Sequence, residues 1–332
     1  MWDAPASACS VFFPRSHLNE ISGGPYVRPP GCPFTVPKTL RLRSFAKINT
    51  GLKILRPRPD GYHEIRTIYQ TVGLHDRLAI SISKAGKGIA VECDNPAIPG
   101  GQGNLVYRTC EAWAQARGWR GGIRVQIEKA IPLGSGLGGA STNAAATLLG
   151  LERLTGGVLD FPARHRLAAA LGSDVPLFLL GGRVLGCGRG EEVYPLSDLP
   201  SRACLVIFPG FSVSTADAYR QAGLRLTEQA GTAYIGSFGA WPQFPLMSWG
   251  PAENDFEPVV FARWPELARW KRRLIRAGAE VASLTGSGSA VYALFSSSRQ
   301  MARASKLIPK GWLVFPTRTL VRADYHRRLF VH

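Results

Sequence analysis

Apolar and polar residues alternate in several stretches of the chain, and this period of two residues predicts β-strands. The alternating stretches are 38–54, 65–72, 77–91, 123–127, 183–194 and 203–208, and a further strand follows the glycines of 284–289. Elsewhere apolar residues recur every three to four positions, which predicts helices. The predicted helices are 105–116, 163–171, 264–278 and one that ends at 155.

One stretch joins a glycine-rich loop directly to a helix. Residues 131–155 read IPLGSGLGGASTNAAATLLGLERLT. The glycines lack Cβ atoms, so the backbone can adopt positive φ and bring its amides close to an anion. They are Gly134, Gly136, Gly138 and Gly139. Ser141 and Thr142 follow as candidate caps or hydroxyl ligands, and the helix N-terminus adds unpaired amides. The pattern predicts a phosphate-binding loop rather than a plain flexible turn.

This loop departs from the two commonest phosphate-binding patterns. A P-loop ends in Gly-Lys-Ser/Thr, and no lysine follows the glycines here. The dinucleotide-binding pattern GxGxxG would fit Gly134, Gly136 and Gly139, but it requires an acidic residue about 20 positions further on. Glu152 does not meet this requirement, because it lies within the predicted helix. The sequence therefore indicates a third kind of loop.

Two charged residues lie in apolar surroundings and are candidates for chemistry. Lys47 falls inside an alternating strand, where a lysine is either a solvent-facing edge charge or a functional group. Asp174 stands beside Val175 after the predicted helix 163–171, where it either caps the next turn or acts in catalysis. The residues alone leave both alternatives open.

Two turns complete the set of candidate functional segments. The Pro/Asp/Gly turn at 56–61 presents Tyr62 and His63 before the next strand. These two residues are either a half-buried aromatic and an exposed turn residue, or a recognition pair. The glycines of 284–289 form either a hairpin turn or a second ligand-binding loop.

Composition narrows the class of protein. With 332 residues, 45% of them hydrophobic, the chain can bury one large core or two medium ones. Apolar runs such as 203–208 are far shorter than the roughly 18 residues that a membrane span requires. Six cysteines lie without CxxC spacing, which disfavours a zinc site or a disulfide framework and suits a reducing cytoplasm.

The chain is strongly basic, with a net charge of +17 and a sequence pI of about 10.1. Its basic residues are dispersed and mostly arginine, and they are densest between 299 and 328. This distribution favours a solvated basic surface that attracts polyphosphate substrates over nucleic-acid binding. We expect small-molecule partners, with no nucleic acid and no membrane.

Segment boundaries follow from glycine and proline. Residues 1–37 mix Pro, Gly, Ser and isolated aromatics without a regular period, which predicts a disordered extension. An overlong start site or a transit peptide would both give such a segment. Pro209-Gly210 marks the predicted boundary between an N-terminal domain, 38–208, and a C-terminal domain, 209–332. Glycines and prolines over 231–245 predict a loop.

The phosphate loop and three further stretches resemble a known family. Residues 132–142, PLGSGLGGAST, resemble the phosphate loop of the GHMP small-molecule kinases. The stretches SFAKIN (44–49), RPDGYH (58–63) and LGSDVPLF (171–178) are similar to motifs of the 4-diphosphocytidyl-2-C-methyl-D-erythritol kinases within that superfamily. The similarity extends from about 40 to 318. It implies an α+β fold of two domains, with ATP and the acceptor meeting in the cleft between them.

The resemblance also implies roles for individual residues. The reaction would be ATP-dependent phosphorylation of the 2-hydroxyl of the family's cytidylyl substrate, in non-mevalonate isoprenoid-precursor synthesis. Lys47 and Asp174 would be catalytic, with Asp174 accepting the hydroxyl proton. The ATP phosphates would lie on Pro132, Gly134, Ser135, Gly136, Leu137, Gly138, Gly139, Ser141 and Thr142. The substrate would contact Asn49, Tyr62, His63, Gly286, Ser287 and Gly288. Mg²⁺ would bridge the β and γ phosphate oxygens, with no protein ligand assigned.

Two alternatives stay open on the sequence alone. Another GHMP enzyme, such as a mevalonate or homoserine kinase or a diphosphomevalonate decarboxylase, would share the phosphate loop. We expect such an enzyme to lack DGYH (60–63) alongside AKIN (46–49). A non-catalytic basic RNA-binding protein on a related fold would explain the charge of +17. It would not explain Lys47 together with Asp174.

Overall fold

The computed structural model describes residues 39–229, 249 and 252–331, without the side chains of 223–229. The predicted extension 1–37 and the predicted loop at 231–245 lie outside these residues. All described residues belong to one compact unit. Within them, no helix combines the length and the apolar character that crossing a membrane requires.

The first sheet contains seven of the described strands and is built around two long antiparallel ones. These are β1 (Thr39–Pro57) and β2 (His63–Ser83). The others are β3 (Ile89–Cys93), β4 (Gly122–Glu128), β5 (Arg183–Cys187), β6 (Glu192–Pro195) and β11 (Phe330–Val331). Their order is β11-β1-β2-β4-β3, with β5 and β6 extending from β2. The predicted strands 65–72 and 77–91 are wrong at two points. Pairing with β1 continues through His75 and Asp76 and makes β2 continuous, and residues 84–88 separate β2 from β3.

The second sheet has four described strands in the order β10-β7-β9-β8, and all neighbours are antiparallel. The strands are β7 (Ala203–Phe208), β8 (Val281–Leu284), β9 (Val291–Phe295) and β10 (Leu313–Arg318). The predicted boundary at 208/209 puts β7 with the first domain, whereas its hydrogen bonds join it to β9 and β10. All six residues of β7 are buried between these partners. The domain limits themselves stay a prediction.

Helices cover both sheets. They are α1 (Leu105–Arg117), α2 (Gly139–Thr155), α3 (Phe161–Leu171), α4 (Leu177–Leu180), α5 (Thr215–Gln229), α6 (Glu257–Arg263), α7 (Pro265–Arg276), α8 (Ser298–Ser305) and α9 (Arg322–Leu329). Asn104 caps α1, because its Oδ1 accepts a hydrogen bond from the Val106 N–H at 2.9 Å. Asp160 caps α3 in the same way through the Ala163 N–H at 2.7 Å. Each cap supplies an acceptor to an amide that the helix itself leaves unpaired.

Helix α2 lies directly on the first sheet. Ala144, Ala145 and Leu148 on its inner face are fully buried. A Cβ atom at Gly150 would lie 2.6 Å from Ile80 Cδ1 of β2, which is closer than real side chains approach. Small residues on this face therefore let the helix approach the sheet closely, and this packing holds the preceding glycine loop over the strands.

One apolar cluster spans the two sheets. Ile48 of β1 and Val72 of β2 are fully buried in it together with Val206 of β7 and Tyr292 of β9. Burial of apolar surface is the dominant favourable contribution to folding, so this cluster holds β1 against the second sheet. Strand β1 carries Lys47, and the second sheet carries the glycines of 284–289. The packing therefore brings these two candidate segments together.

Candidate active site

Two glycine loops contact each other through their backbones. We call 132–139 the phosphate loop and 285–289 the second glycine loop. Thr285 Oγ1 donates a hydrogen bond to Gly136 O at 3.2 Å. A Cβ atom on Gly136 would lie 2.1 Å from Thr285 O, and one on Gly288 would lie 2.3 Å from the backbone of the phosphate loop. Glycine is required at both positions, because the loops approach more closely than a side chain allows.

Helix α2 begins at Gly139, and Gly138 is its N-cap with φ of 74°. No side chain caps this end, so the predicted capping role of Ser141 and Thr142 is wrong. Both residues lie inside the first turn of the helix, past the position where a side chain can cap it. Thr142 is buried, and its hydroxyl has no hydrogen-bond partner among the described residues. The first-turn amides of α2 therefore have no side-chain cap, and such amides are donors that an anion can use.

Lys47 is buried in β1 with 3% of its surface exposed. Its ammonium donates to Asn49 Oδ1 at 2.8 Å and lies 3.3 Å from Asp174 Oδ2. Its backbone N–H donates to Leu137 O at 3.0 Å, which joins β1 to the phosphate loop. Lys47 is therefore not a solvent-facing edge charge. Its charge is compensated inside the protein, beside the loop.

Asp174 follows α3 and lies opposite Lys47. Its Oδ1 accepts a hydrogen bond from the Tyr69 hydroxyl at 3.0 Å, and its Oδ2 faces Lys47. The next helix, α4, has Pro176 as its N-cap and no side-chain capping bond, so Asp174 does not cap it. The Asp174 side chain is 30% exposed, against 4% for Lys47. A substrate can therefore reach this carboxylate from solvent.

Asn49 supports the ammonium of Lys47 from behind. Its Oδ1 accepts from Lys47 and lies 3.3 Å from Thr285 Oγ1, whose single proton is shared with Gly136 O. Its Nδ2 donates to Thr67 Oγ1 at 2.7 Å, and the residue is 2% exposed. The oxygen and the nitrogen of the amide thus each have a partner within the protein, and the amide links β1 to the second glycine loop. The predicted contact between Asn49 and substrate stays a prediction.

The second glycine loop is held by Asn254, which the sequence analysis missed. Asn254 Nδ2 donates to two backbone carbonyls, one of them Gly286 O, each at 2.9 Å. A Cβ atom at Gly286 would lie 3.4 Å from Lys47 Nζ, so this part of the loop borders the catalytic candidates. Ser287 Oγ donates to Thr215 Oγ1 at 2.8 Å and so faces α5. The short polar segment around Asn254 has no periodic pattern that could have marked this role.

Tyr62 and His63 present aromatic rings at the turn that precedes β2. Asp60 Oδ1 accepts from the Tyr62 N–H at 3.1 Å and stabilises the turn. Tyr62 is 53% exposed, and the Arg189 guanidinium carbon lies 4.9 Å from its ring centroid. The His63 ring stacks on Tyr219, with centroids 5.2 Å apart. Burial lowers the pKa of His63, so its imidazole is neutral at pH 7 and has one donor and one acceptor nitrogen.

Tyr219 of α5 connects this turn to the catalytic candidates. Besides stacking on His63, it packs edge-on against Phe256 with centroids 4.8 Å apart. Burial, and then the Asp174 carboxylate, raise the pKa of the Tyr219 phenol, so the phenol lies within electrostatic reach of Asp174. Tyr219 was not among the predicted site residues, because no sequence motif surrounds it. Tyr219 thus contacts the His63 ring of the turn and is within electrostatic reach of Asp174.

A buried ion pair supports the chain where it enters the phosphate loop. Asp76 is fully buried and accepts hydrogen bonds from the N–H groups of Ala130 and Ile131, each at 2.8 Å. Its carboxylate also contacts the ammonium of Lys129, which lies 3.2 Å from the Cβ position of Gly139. Asp76 was missed as well, because it falls between the two predicted strands 65–72 and 77–91. The pair places a positive charge at the start of α2.

Known proteins share this arrangement of segments. The family described as "GHMP kinases N terminal domain" matches residues 104–182, and "GHMP kinases C terminal" matches residues 246–309. The 4-diphosphocytidyl-2-C-methyl-D-erythritol kinase of Solibacter usitatus is 45% identical over 273 residues, 80% of this chain and 84% of the relative. The chain belongs to this kinase family. The member from Geobacter sulfurreducens is 36% identical over 288 residues, 85% of this chain and 100% of the relative.

Solved structures agree with this family assignment. A crystal structure of 4-(cytidine 5'-diphospho)-2C-methyl-D-erythritol kinase has a TM-score of 0.68 and 31% identity, covering 84% of this chain and 99% of that one. Homoserine kinase from Cytophaga hutchinsonii has a TM-score of 0.64 at 19% identity, over 88% of this chain and 98% of that one, and shares the fold. The predicted α+β GHMP kinase fold is confirmed. As a family member the chain is an ATP-dependent small-molecule kinase, and the RNA-binding alternative is not favoured.

Proposed function

We propose that this kinase transfers the γ-phosphoryl group of ATP to the 2-hydroxyl of 4-diphosphocytidyl-2-C-methyl-D-erythritol, in non-mevalonate isoprenoid-precursor synthesis. The main support for the proposal is the ion pair beside the phosphate loop, in which Lys47 Nζ lies 3.3 Å from Asp174 Oδ2. The identity of the substrate is inferred from relatives that are named for it. The geometry supplies the chemistry, because phosphoryl transfer to an alcohol requires a proton acceptor and charge stabilisation.

Asp174 and Lys47 have different roles at the acceptor hydroxyl. Asp174 takes the hydroxyl proton, since its carboxylate faces both Lys47 and solvent. The freed oxygen attacks the γ-phosphorus, the bond from that phosphorus to the bridging oxygen breaks, and ADP leaves. Lys47 stabilises the developing alkoxide through its positive charge. Because Asn49 already holds the ammonium at 2.8 Å, Lys47 requires little reorganisation during the reaction.

The phosphate loop binds ATP through its backbone. Ser135 Oγ donates to Pro132 O at 2.7 Å, so the hydroxyl is used within the loop and the residue would meet phosphate through its N–H. Leu137 is fully buried and anchors the loop in the core. The uncapped N-terminus of α2 adds amides and the positive end of the helix dipole. Phosphate is therefore recognised by main-chain donors whose positions depend on glycine.

The Mg²⁺ that the family implies does not fit a site made by the protein alone. The residues that the structure describes contain no group of three or more histidine, cysteine, aspartate or glutamate side chains suited to hold a metal ion. Mg²⁺ is commonly held by substrate phosphates and waters with few protein ligands, and the nucleotide would supply those oxygens here. None of the residue roles above depends on the ion.

Tyr62 and His63 are the proposed readers of the acceptor's cytosine. A cytosine ring has a flat π face, on which a half-exposed tyrosine can stack. Its polar edge carries donor and acceptor atoms, which a neutral imidazole can match with one nitrogen of each kind. Burial lowers the pKa of His63 and keeps the ring neutral at pH 7. We expect acceptor binding to weaken below the lowered pKa, where the protonated ring can no longer accept a hydrogen bond.

Changing either reader should weaken acceptor binding selectively. Tyr62→Ala and His63→Ala are each expected to raise KM for the cytidylyl acceptor about tenfold, because a stacking face or a hydrogen bond is lost. KM for ATP should move by less than about twofold. Steady-state kinetics with each substrate varied in turn measures both values.

Tyr194→Ala is the control for this prediction. Tyr194 of β6 is 52% exposed, nearly as much as Tyr62, but it is not among the candidate site residues. Its loss should leave both KM values unchanged. If Tyr62→Ala and His63→Ala keep the wild-type preference for a cytidylyl over a uridylyl acceptor, the base is read by other residues.

A panel of acceptors tests the proposed function as a whole. ATP consumption is measured with the cytidylyl acceptor, its uridylyl analogue, mevalonate and homoserine. We expect turnover with the cytidylyl compound to exceed that with the two small acids by orders of magnitude, because only it has a base for the turn at 60–63 to bind. Preferred turnover of mevalonate or homoserine would assign the chain to another GHMP activity.

The cysteines indicate the redox environment of the enzyme. Cys93, Cys110, Cys187 and Cys204, the four that the structure describes, are all free. Burial raises the pKa of the Cys110 thiol to about 12, so this thiol is unreactive. We place the enzyme in a reducing compartment, the cytoplasm, where unpaired thiols persist.

A further inference from the structure

The phenol of Tyr69 lies against the catalytic pair without a role in the mechanism above. Tyr69 is 1% exposed, and its hydroxyl is 3.0 Å from Asp174 Oδ1. Lys47 Nζ lies 5.4 Å from the centroid of its ring. We propose that Tyr69 is a positioning residue, whose hydroxyl donates the hydrogen bond that holds the Asp174 carboxylate oriented for proton transfer. This inference rests on the proposed function, because it takes Asp174 as the base.

The direction of the hydrogen bond follows from the chemistry of the two groups. An ionised carboxylate can only accept, so the phenol is the donor. Burial, and then the Asp174 carboxylate, raise the pKa of the Tyr69 phenol well above its ordinary value. The phenol therefore keeps its proton over the whole range in which a kinase works. A hydrogen bond donated to a carboxylate stabilises its ionised form relative to its protonated form.

The fold leaves Tyr69 no freedom to move away from Asp174. Tyr69 lies in β2, paired with Asn49 of β1 on one side and Val184 of β5 on the other. A Cβ atom on Gly186 would lie 2.5 Å from the Tyr69 ring, and one on Gly190 would lie 2.4 Å from its hydroxyl oxygen. These two glycines make the space that the ring and its hydroxyl fill. The donor is thus fixed before substrate binds, as preorganisation requires.

Each oxygen of the Asp174 carboxylate has its own partner. Lys47, from β1, faces Oδ2, and Tyr69, from β2, donates to Oδ1. The neutral phenol of Tyr219, from α5, is within electrostatic reach of the carboxylate, and Glu191 is within electrostatic reach of Tyr69. Lys47 alone would leave the carboxylate free to rotate about its Cβ–Cγ bond. The second partner removes that freedom, so one oxygen stays directed at Lys47 and the acceptor.

Tyr69→Phe tests this role, because it keeps the ring and removes only the donor. We expect kcat to fall about tenfold, while KM for ATP changes by less than about twofold. The acid limb of the pH profile of kcat/KM should move to higher pH, because the carboxylate loses a hydrogen-bond donor. A purely structural tyrosine would not move this limb.

Tyr325→Phe is the matched control. Tyr325 is also fully buried and donates one hydrogen bond to the protein, to Phe178 O at 2.5 Å. Tyr325→Phe should lower the melting temperature by about as much as Tyr69→Phe does. It should leave the pH profile of kcat/KM unchanged. If Tyr69→Phe does not fold, 3-fluorotyrosine introduced at position 69 keeps the hydroxyl and makes it a stronger donor. The acid limb should then move to lower pH.

The outcomes separate this inference from the proposed function. An unmoved acid limb in Tyr69→Phe, or in the fluorotyrosine protein, overturns the positioning role, provided that Asp174→Asn is inactive. In that case the proposed function stands and Tyr69 only supports the fold. If Asp174→Asn remains active, Asp174 is not the base. That result is obtained without any Tyr69 variant.

Discussion

Asp174→Asn is expected to lower kcat at least about 100-fold while the fold and ATP binding are retained, which is the usual scale of general base catalysis. Asparagine is nearly isosteric with aspartate but cannot take the proton of a hydroxyl. Its amide oxygen can still accept the bond from Tyr69, so little else in the site should change. The loss should therefore appear in kcat and not in KM for ATP. Lys47→Met is expected to behave similarly, because the alkoxide then lacks its positive charge.

Asp255→Asn is the control for this comparison. Asp255 Oδ1 lies 3.2 Å from Lys53 Nζ, and its side chain is 25% exposed, close to the 30% of Asp174. The substitution breaks a similar lysine–aspartate pair outside the catalytic candidates, so it should affect stability and leave kcat within about twofold. Calorimetric titration with ATP checks that each variant still binds nucleotide. Near-normal turnover of Asp174→Asn would reject its assignment as the base.

Gly136→Ala is expected to lower the free energy of unfolding by about 2 to 5 kcal/mol and to raise KM for ATP at least about tenfold. The residue has φ of 80°, and its Cβ atom would lie 2.1 Å from Thr285 O. Thr285 O belongs to the main chain, and the backbone fixes the position of the alanine Cβ, so no side-chain rotation can relieve this contact. The phosphate loop and the second glycine loop must separate, and the amides that bind phosphate move with them. Urea unfolding and steady-state kinetics measure the two effects.

Gly118→Ala separates the backbone strain from the contact. Gly118 is the C-cap of α1 with φ of 62°, and a Cβ atom there would meet nothing within 4 Å. Only the left-handed conformation is penalised at this position, which costs about 1 to 2 kcal/mol. KM for ATP should not change. Equal losses of stability in the two variants would mean that the loops are not in tight contact.

The phosphate loop could be predicted because its chemistry is local. Missing Cβ atoms and the amides at the start of a helix depend only on residues adjacent in the chain. A prediction from neighbouring residues does not extend to features that depend on distant parts of the chain. Whether Ser141 and Thr142 cap α2 depends on the residue at which the helix begins, and packing moves that start to Gly139. Strand periodicity is limited in the same way, since it did not reveal that β2 continues through Asp76.

The sequence pattern did not reveal the residues that support other side chains or loops. Asp76, Tyr219 and Asn254 lie far in the chain from the groups they support, and no pattern around them marks a function. Each is recognised only from its partner: a loop amide for Asp76, the ring of His63 for Tyr219, and a loop carbonyl for Asn254. Such roles depend on strand register and helix packing, which a sequence pattern does not specify.

The sequence by itself determined the glycine loops, the main strands and helices, and the residue types that could perform phosphoryl transfer, because each depends on neighbours along the chain. Only the tertiary structure decided that Lys47 and Asp174 form a pair, since β1 and the turn after α3 meet through packing. It also decided that β7 belongs to the second sheet and that Tyr69 donates to Asp174. Contacts between distant segments depend on how apolar faces pack against one another, and many sequences can satisfy the same packing.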